Sequence, residues 1–134
     1  KGGAVRYTES DGADFDKYQV MIIDTIGILS GVYRYADFGY IGGGFGAGIH
    51  NTLEPATFGI PLAFGPKYKK FKEAVDLITV GAAQNISDYR SLDEWFSALE
   101  HDESLRASKG AAAKEYITSH EGATEQILKA LFKD

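Results

Sequence analysis

The chain has 134 residues and a mass of 14.6 kDa, near the common size of one domain and too short for two large ones. It is 44% hydrophobic and 25% charged, the balance of a soluble globular protein, and its net charge of −5 argues against a basic nucleic-acid face. The lack of cysteine excludes disulfides, thiolate metal sites and a thiol nucleophile, while His50, His101 and His120 have no metal-ligand spacing.

In chain order, Ala4–Tyr7 reads as a first strand that starts almost at once, after a first residue that is Lys rather than Met. No signal-peptide pattern is present, and the chain reads as part of something longer. The polar, Gly- and Asp-containing run Glu9–Lys17 reads as an exposed loop. Gln19–Ile23 reads as a second strand; Asp24 then interrupts the longest apolar run, well short of the ~18 residues a membrane helix needs. A helix over Gly27–Tyr35 and a strand over Phe38–Ile41 follow, then a short helix from about Thr52 to Phe58. Pro61–Phe64 is a strand, Phe71–Ile78 a helix and Ala82–Ile86 a strand. Short, mostly apolar strands alternating with helices predict right-handed βαβ units, an α/β fold with a Rossmann-like parallel sheet and flanking helices.

Three helices are predicted to close the chain. Ser91 with Glu94 has capping-box spacing, and Leu92, Trp95, Phe96 and Leu99 follow at i, i+3, i+4 and i+7. Trp95 therefore reads as core rather than as a stacking platform for a base or sugar. Ser104 is placed to cap a second helix reaching Tyr116 and Ile117, and Gly122 separates it from a third with the stripe Ile127, Leu128 and Leu131.

The chemistry concentrates in one segment. Six of the 16 glycines fall between Gly39 and Gly48, where Ile41-Gly-Gly-Gly-Phe-Gly-Ala-Gly-Ile-His-Asn-Thr-Leu-Glu-Pro leaves a strand and enters a helix. Glycine brings the backbone close to a ligand, and a helix start presents free N–H groups to an anion. Parallel α/β sheets bind ligands at the carboxyl ends of their strands, so a phosphate or nucleotide site is predicted here, with a surface loop as the other reading. Gly42, Gly44 and Ala47 match a dinucleotide glycine pattern, but the helix starts too late and no acidic residue ends the next strand. No Gly-Lys-Ser/Thr exists for a phosphate loop of the Walker type. Glu54 has two readings: with Asn51 it has capping-box spacing, and beside an anion site its carboxylate can accept from ribose hydroxyls.

Gly-Gly-Gly-Phe, Gly-Ile-His-Asn-Thr-Leu-Glu-Pro-Ala, Phe-Gly-Ile-Pro and Phe-Gly-Pro together resemble the donor-binding half of 3-deoxy-D-manno-octulosonic acid (Kdo) transferases. The similarity extends through Asp24-Thr25-Ile26-Gly27 and Lys70-Phe71, roughly residues 20 to 85. The chain departs from that pattern at Gly44, where the family often has Ser, at Ile49, where it often has Gly, and at Ile28, where it often has Glu.

The resemblance implies the C-terminal half of a GT-B glycosyltransferase, a fold of two Rossmann-like domains with the active site in the cleft between them. Residues 1–134 would form a single nucleotide-sugar (donor) binding domain of a two-domain enzyme. That enzyme would transfer Kdo from CMP-Kdo to lipid A precursor in lipopolysaccharide biosynthesis, at the cytoplasmic face of the bacterial inner membrane. Glu54 would hold the donor ribose, Gly43, Gly44, Phe45, Gly46, Gly48, Asn51 and Thr52 would face the CMP phosphate, and His50 would bond the phosphate or the sugar carboxylate. His50 also reads as a loop histidine tied to backbone, and Asp24 as a helix cap. Asp24, Thr25 and Gly27 would line the cytidine side. No metal and no cofactor are expected; the general base, the lipid acceptor and any membrane contact would belong to the N-terminal half. This domain by itself would then be inactive.

Lys67, Lys69, Lys70 and Lys72 place four positive charges in six residues. They read as a solvated loop and helix start, or as cations approaching an anionic donor or a phosphorylated acceptor; Arg6 is a weaker candidate for that task. Two competing functions remain: a UDP-sugar transferase or epimerase of GT-B type, which would prefer uridine, and a non-catalytic nucleotide-sensing α/β module.

Overall fold

A computed structural model describes residues 2–131 and divides into two compact units, Lys1–Arg34 and Tyr35–Asp134. In the first, strand β1 (Gly3–Arg6) runs parallel to β2 (Tyr18–Ile22), with a register shift between Gly3, opposite Tyr18, and Ala4, opposite Val20. The connection is carried by two single 3₁₀ turns, Tyr7–Glu9 and Phe15–Lys17, and the predicted loop between them is largely exposed. Helix α1 (Leu29–Tyr33) is a five-residue piece of the predicted Gly27–Tyr35 helix.

The second unit holds a three-stranded parallel sheet in the order β3 (Gly39–Ile41), β4 (Leu62–Phe64), β5 (Ala83–Asn85). Ile41 lies opposite Phe64, and Phe64 opposite Asn85, so the three carboxyl ends are level. Helices α2 (Leu53–Thr57) and α3 (Lys72–Thr79) make the crossovers. Every predicted strand is found within a residue or two, all in parallel pairs, as two sheets rather than one. The central strand is buried from Ile60 to Gly65, the expected state of a parallel strand covered on both faces.

Helices α4 (Tyr89–His101), α5 (Glu103–Ser119) and α6 (Ala123–Leu131) complete the unit. Trp95 is core: with Ala63, Ile86 and Leu99 it forms a buried cluster, and the Phe38 ring meets the Trp95 and Phe96 rings edge-on at 5.4 and 5.2 Å. Gly110 lets α5 pass Gly59 closely, because a Cβ there would sit 2.2 Å from the Gly59 carbonyl oxygen. Tyr116 donates to Asp76 at 3.1 Å, tying α5 to α3. The Lys72 ammonium, donating to Asp76, holds that carboxyl below 3.8, and burial together with Asp76 pushes the Tyr116 hydroxyl up to about 12.

The caps differ from the predicted ones. Asp88, not Ser91, caps α4; Ser91 is the third helical residue and its hydroxyl completes the capping box with the Asp88 N–H. Asp102, not Ser104, caps α5, accepting from the Leu105 N–H at 2.8 Å. In both cases an aspartate precedes the serine, and a carboxylate accepts these amides more strongly than a hydroxyl. The stripe Ile127, Leu128 and Leu131 is exposed, so α6 does not bury its apolar face among the described residues.

Candidate donor-binding loop

β3 ends at Ile41 and the chain turns through Gly42–Ala47 before reaching α2. The Gly46 N–H donates to the Gly43 carbonyl at 2.9 Å, and the His50 N–H to the Gly42 carbonyl at 3.1 Å, so the loop closes on itself. Gly43 has φ 89° and lies against the Gly48 carbonyl, which a Cβ would approach to 2.3 Å. Among the described residues, the N–H groups of Gly43, Phe45, Ala47 and Gly48 are not taken up by hydrogen bonds. Four unengaged amides in one glycine-rich turn form a concavity suited to an anion.

A second segment, Gly65–Phe71, grips this loop from the end of β4. Gly44 and Gly65 touch backbone to backbone: a Cβ on Gly44 would be 2.6 Å from the Gly65 Cα and N. The Lys67 N–H donates to the Gly44 carbonyl at 2.9 Å, and the Lys70 ammonium to the Ala47 carbonyl at 3.0 Å. Next to Gly48 stand the Phe71 ring and the Lys70 stem, leaving no room for a side chain. Sequence reasoning assigned the glycines to ligand approach and missed this clamp. Its signal was Gly65, a glycine placed directly after a buried strand.

The expected site residues of this unit come together in sequence and space as loop, turn and helix start. Asn51 accepts from the Leu53 N–H at 3.0 Å, an Asx turn rather than the capping box with Glu54 that the spacing predicted. That frees Glu54, a half-buried carboxylate with no hydrogen-bond or ion-pair partner among the described residues. The His50 imidazole is exposed and likewise without a hydrogen-bond partner among them; only its backbone is tied down. Thr52 is 1% exposed, and its hydroxyl has no partner among the described residues. α2 has five residues, so its summed dipole is small and the loop amides, rather than a helix start, carry the positive potential here.

Arg6, Asp24, Thr25 and Gly27 belong to the first unit. Asp24 does not cap α1: its carboxylate accepts from the Thr8 N–H at 3.1 Å and from the Thr8 hydroxyl at 2.7 Å, which holds its carboxyl below 3.8. Arg6 lies 3.9 Å from Glu9, both exposed. Among the described residues, no cluster of three or more His, Asp or Glu is placed to hold a metal ion, and no helix is long and apolar enough to cross a membrane.

Parallel strands, flanking helices and a glycine loop at the strand ends define an α/β domain of the kind that forms the C-terminal half of GT-B glycosyltransferases. The chain superposes on the solved C-terminal CMP-Kdo binding domain of WaaA from Acinetobacter baumannii with a TM-score of 0.72 and 25% identity, covering 84% of this chain and 59% of that one. It is 32% identical over 128 residues to the 3-deoxy-D-manno-octulosonic acid transferase of Bordetella pertussis, and 31% over 136 residues to that of Chlamydia trachomatis serovar D. Those alignments take in 94% and 98% of this chain but 30% and 31% of the relatives, so the chain spans just under a third of their length. No family model matches the chain. The resemblance to the Kdo transferases is real and extends over nearly the whole chain, beyond the segment whose motifs first carried it.

Proposed function

We propose that this chain is the donor-binding domain of a glycosyltransferase that moves Kdo from CMP-Kdo to a lipid A precursor. The observation that carries the reading is the clamped glycine loop, with its unengaged amides, followed directly by the unpartnered Glu54 carboxylate. The names of the similar proteins supply the donor. In this reading the amides of Gly43–Gly48 receive the CMP phosphate, and Glu54 accepts hydrogen bonds from the ribose hydroxyls. His50 bonds the phosphate or the Kdo carboxylate, and the backbone at Asn51 and Thr52 borders the same anion. Arg6, Asp24, Thr25 and Gly27 are assigned to the nucleotide side, with Asp24 already oriented by Thr8.

The reaction is attack of an acceptor hydroxyl on the Kdo anomeric carbon, with inversion and departure of CMP. Negative charge grows on the departing phosphate, and preorganised amides stabilise it without reorganising at the moment of bond cleavage. The clamp supplies that preorganisation, since Gly44, Ala47 and Gly48 are each held from the β4 side. The general base and the acceptor contacts belong to a second, N-terminal domain, which places the complete enzyme at the cytoplasmic face of the bacterial inner membrane.

Titrating CMP and UMP into isotope-labelled chain tests the reading. Amide shifts at Gly43–Gly48 and Thr52, larger for CMP and lost in Glu54→Ala, are the expected result. An equal or stronger response to UMP overturns the Kdo assignment in favour of a uridine sugar-nucleotide enzyme.

A further inference from the structure

The lysine run after β4 divides sharply once its partners are known. Lys72 is neutralised by Asp76, whereas none of the ion pairs among the described residues involves Lys67, Lys69 or Lys70. These three line one cleft of about 340 Å³, whose other walls are Ala47 and Pro66. In a chain of net charge −5, three uncompensated cations around one concavity leave a focused positive potential that counter-charge lowers. The cleft is also preorganised. Lys70 is held by the Ala47 carbonyl and lies 5.3 Å from the centre of the Phe71 ring, and the Lys67 backbone is fixed to Gly44.

We propose that this cleft is a binding site for a phosphomonoester group, separate from the nucleotide contacts of the glycine loop. The donor set selects the chemistry. Three ammonium groups are point charges with several N–H donors each, suited to a tetrahedral dianion, whereas a planar carboxylate is matched by an arginine fork, and no arginine lines this cleft. An ammonium bonded to one carbonyl keeps two further donors, so Lys70 reaches an anion without leaving Ala47. The volume exceeds that of phosphate alone, and Ala47, Pro66 and the lysine stems give an apolar wall for the group that carries the ester. The phosphomonoester belongs either to a small phosphorylated molecule or to a lipid headgroup, and the two sources share this recognition.

Inorganic phosphate titrated into labelled chain at constant ionic strength, with chloride as the balancing ion, tests the site. Saturable shifts are expected at Ala47, Lys67, Lys69 and Lys70. The Lys67→Gln/Lys69→Gln pair weakens them by about tenfold or more, Lys67→Arg/Lys69→Arg retains them, and Lys72→Gln leaves affinity within about twofold. Saturating CMP leaves the phosphate affinity unchanged. In sedimentation, binding to phosphatidylcholine vesicles containing phosphatidic acid, released by inorganic phosphate, identifies the headgroup as the source. Phosphate binding without vesicle binding identifies a small molecule. A non-saturable response, an undiminished one in a folded Lys67→Gln/Lys69→Gln chain, or competition between CMP and phosphate overturns the proposal. Because the site is separate, its failure leaves the CMP titration untouched.

Discussion

The two units contrast in how they use the same kind of strand. In the second, β4 is buried along its whole length and Phe64 is fully enclosed; in the first, every residue of β2 is exposed, with Val20 at 54%. Val5 is the one buried residue among the described residues of the first unit. Both pairs of strands are parallel, apolar and short, so sequence pattern alone gives them the same reading. The difference is in what covers them: helices α3, α4 and α5 supply apolar side chains in the second unit, while α1 buries none in the first. Local pattern sets strand and pairing type, and burial is a property of the neighbours.

The largest expected effect sharpens this contrast directly. Phe64→Ala removes a fully buried ring from the central strand and should cost about 3–5 kcal/mol of unfolding free energy. Val20→Ala, on an exposed strand of the first unit, should stay within about 0.5 kcal/mol. Urea denaturation of the two variants measures both. Equal losses would show that the first unit's strand is buried in solution and break the comparison.

A smaller effect is expected where the second unit's rigidity reaches the site. Gly44→Ala places a Cβ 2.6 Å from the backbone of Gly65, a contact no rotamer change relieves, so one of the two loops must move. Destabilisation of about 1–3 kcal/mol is expected, together with altered amide shifts at Lys67 and Ala47, where the clamp bonds the loop. A variant with wild-type stability and unchanged Lys67 and Ala47 shifts would show that the clamp does not hold the glycine loop.

These cases also mark what the residues disclosed in advance. The five strands, their parallel pairing, the Trp95 core and the glycine loop at the strand ends were legible, because each depends on apolar runs and glycine spacing within a short window. The caps at Asp88 and Asp102 were not, because serine and aspartate compete for the same amides and only backbone geometry chooses between them. Asn51 bonding Leu53 rather than pairing with Glu54 is the same competition, and its outcome leaves the Glu54 carboxylate unpartnered among the described residues. The clamp from Gly65 to Phe71 was hidden for another reason. Its partners lie about twenty residues apart in sequence and meet only because β3 and β4 are level at their carboxyl ends.

The smallest effect concerns the first unit, where polar bonds must do more because apolar burial does little. Asp24 accepts two hydrogen bonds from Thr8, and the hydroxyl bond is the main reason its carboxyl lies below 3.8. A depressed folded value means that the ionised form favours the fold: the contribution is present above the unfolded carboxylate range and is lost as pH falls through the folded value. Thr8→Val keeps the shape and the backbone bond but removes the hydroxyl, so the Asp24 titration midpoint should rise toward 3.8, read from its carboxyl carbon resonance. Any stability difference between the two proteins should be present at neutral pH and vanish in acid. Because both groups are exposed, the difference should be smaller than that of Gly44→Ala. An unmoved midpoint would mean that Thr8 does not orient Asp24 in solution, and the first unit would then lack the one polar tie that joins the end of β1 to the end of β2.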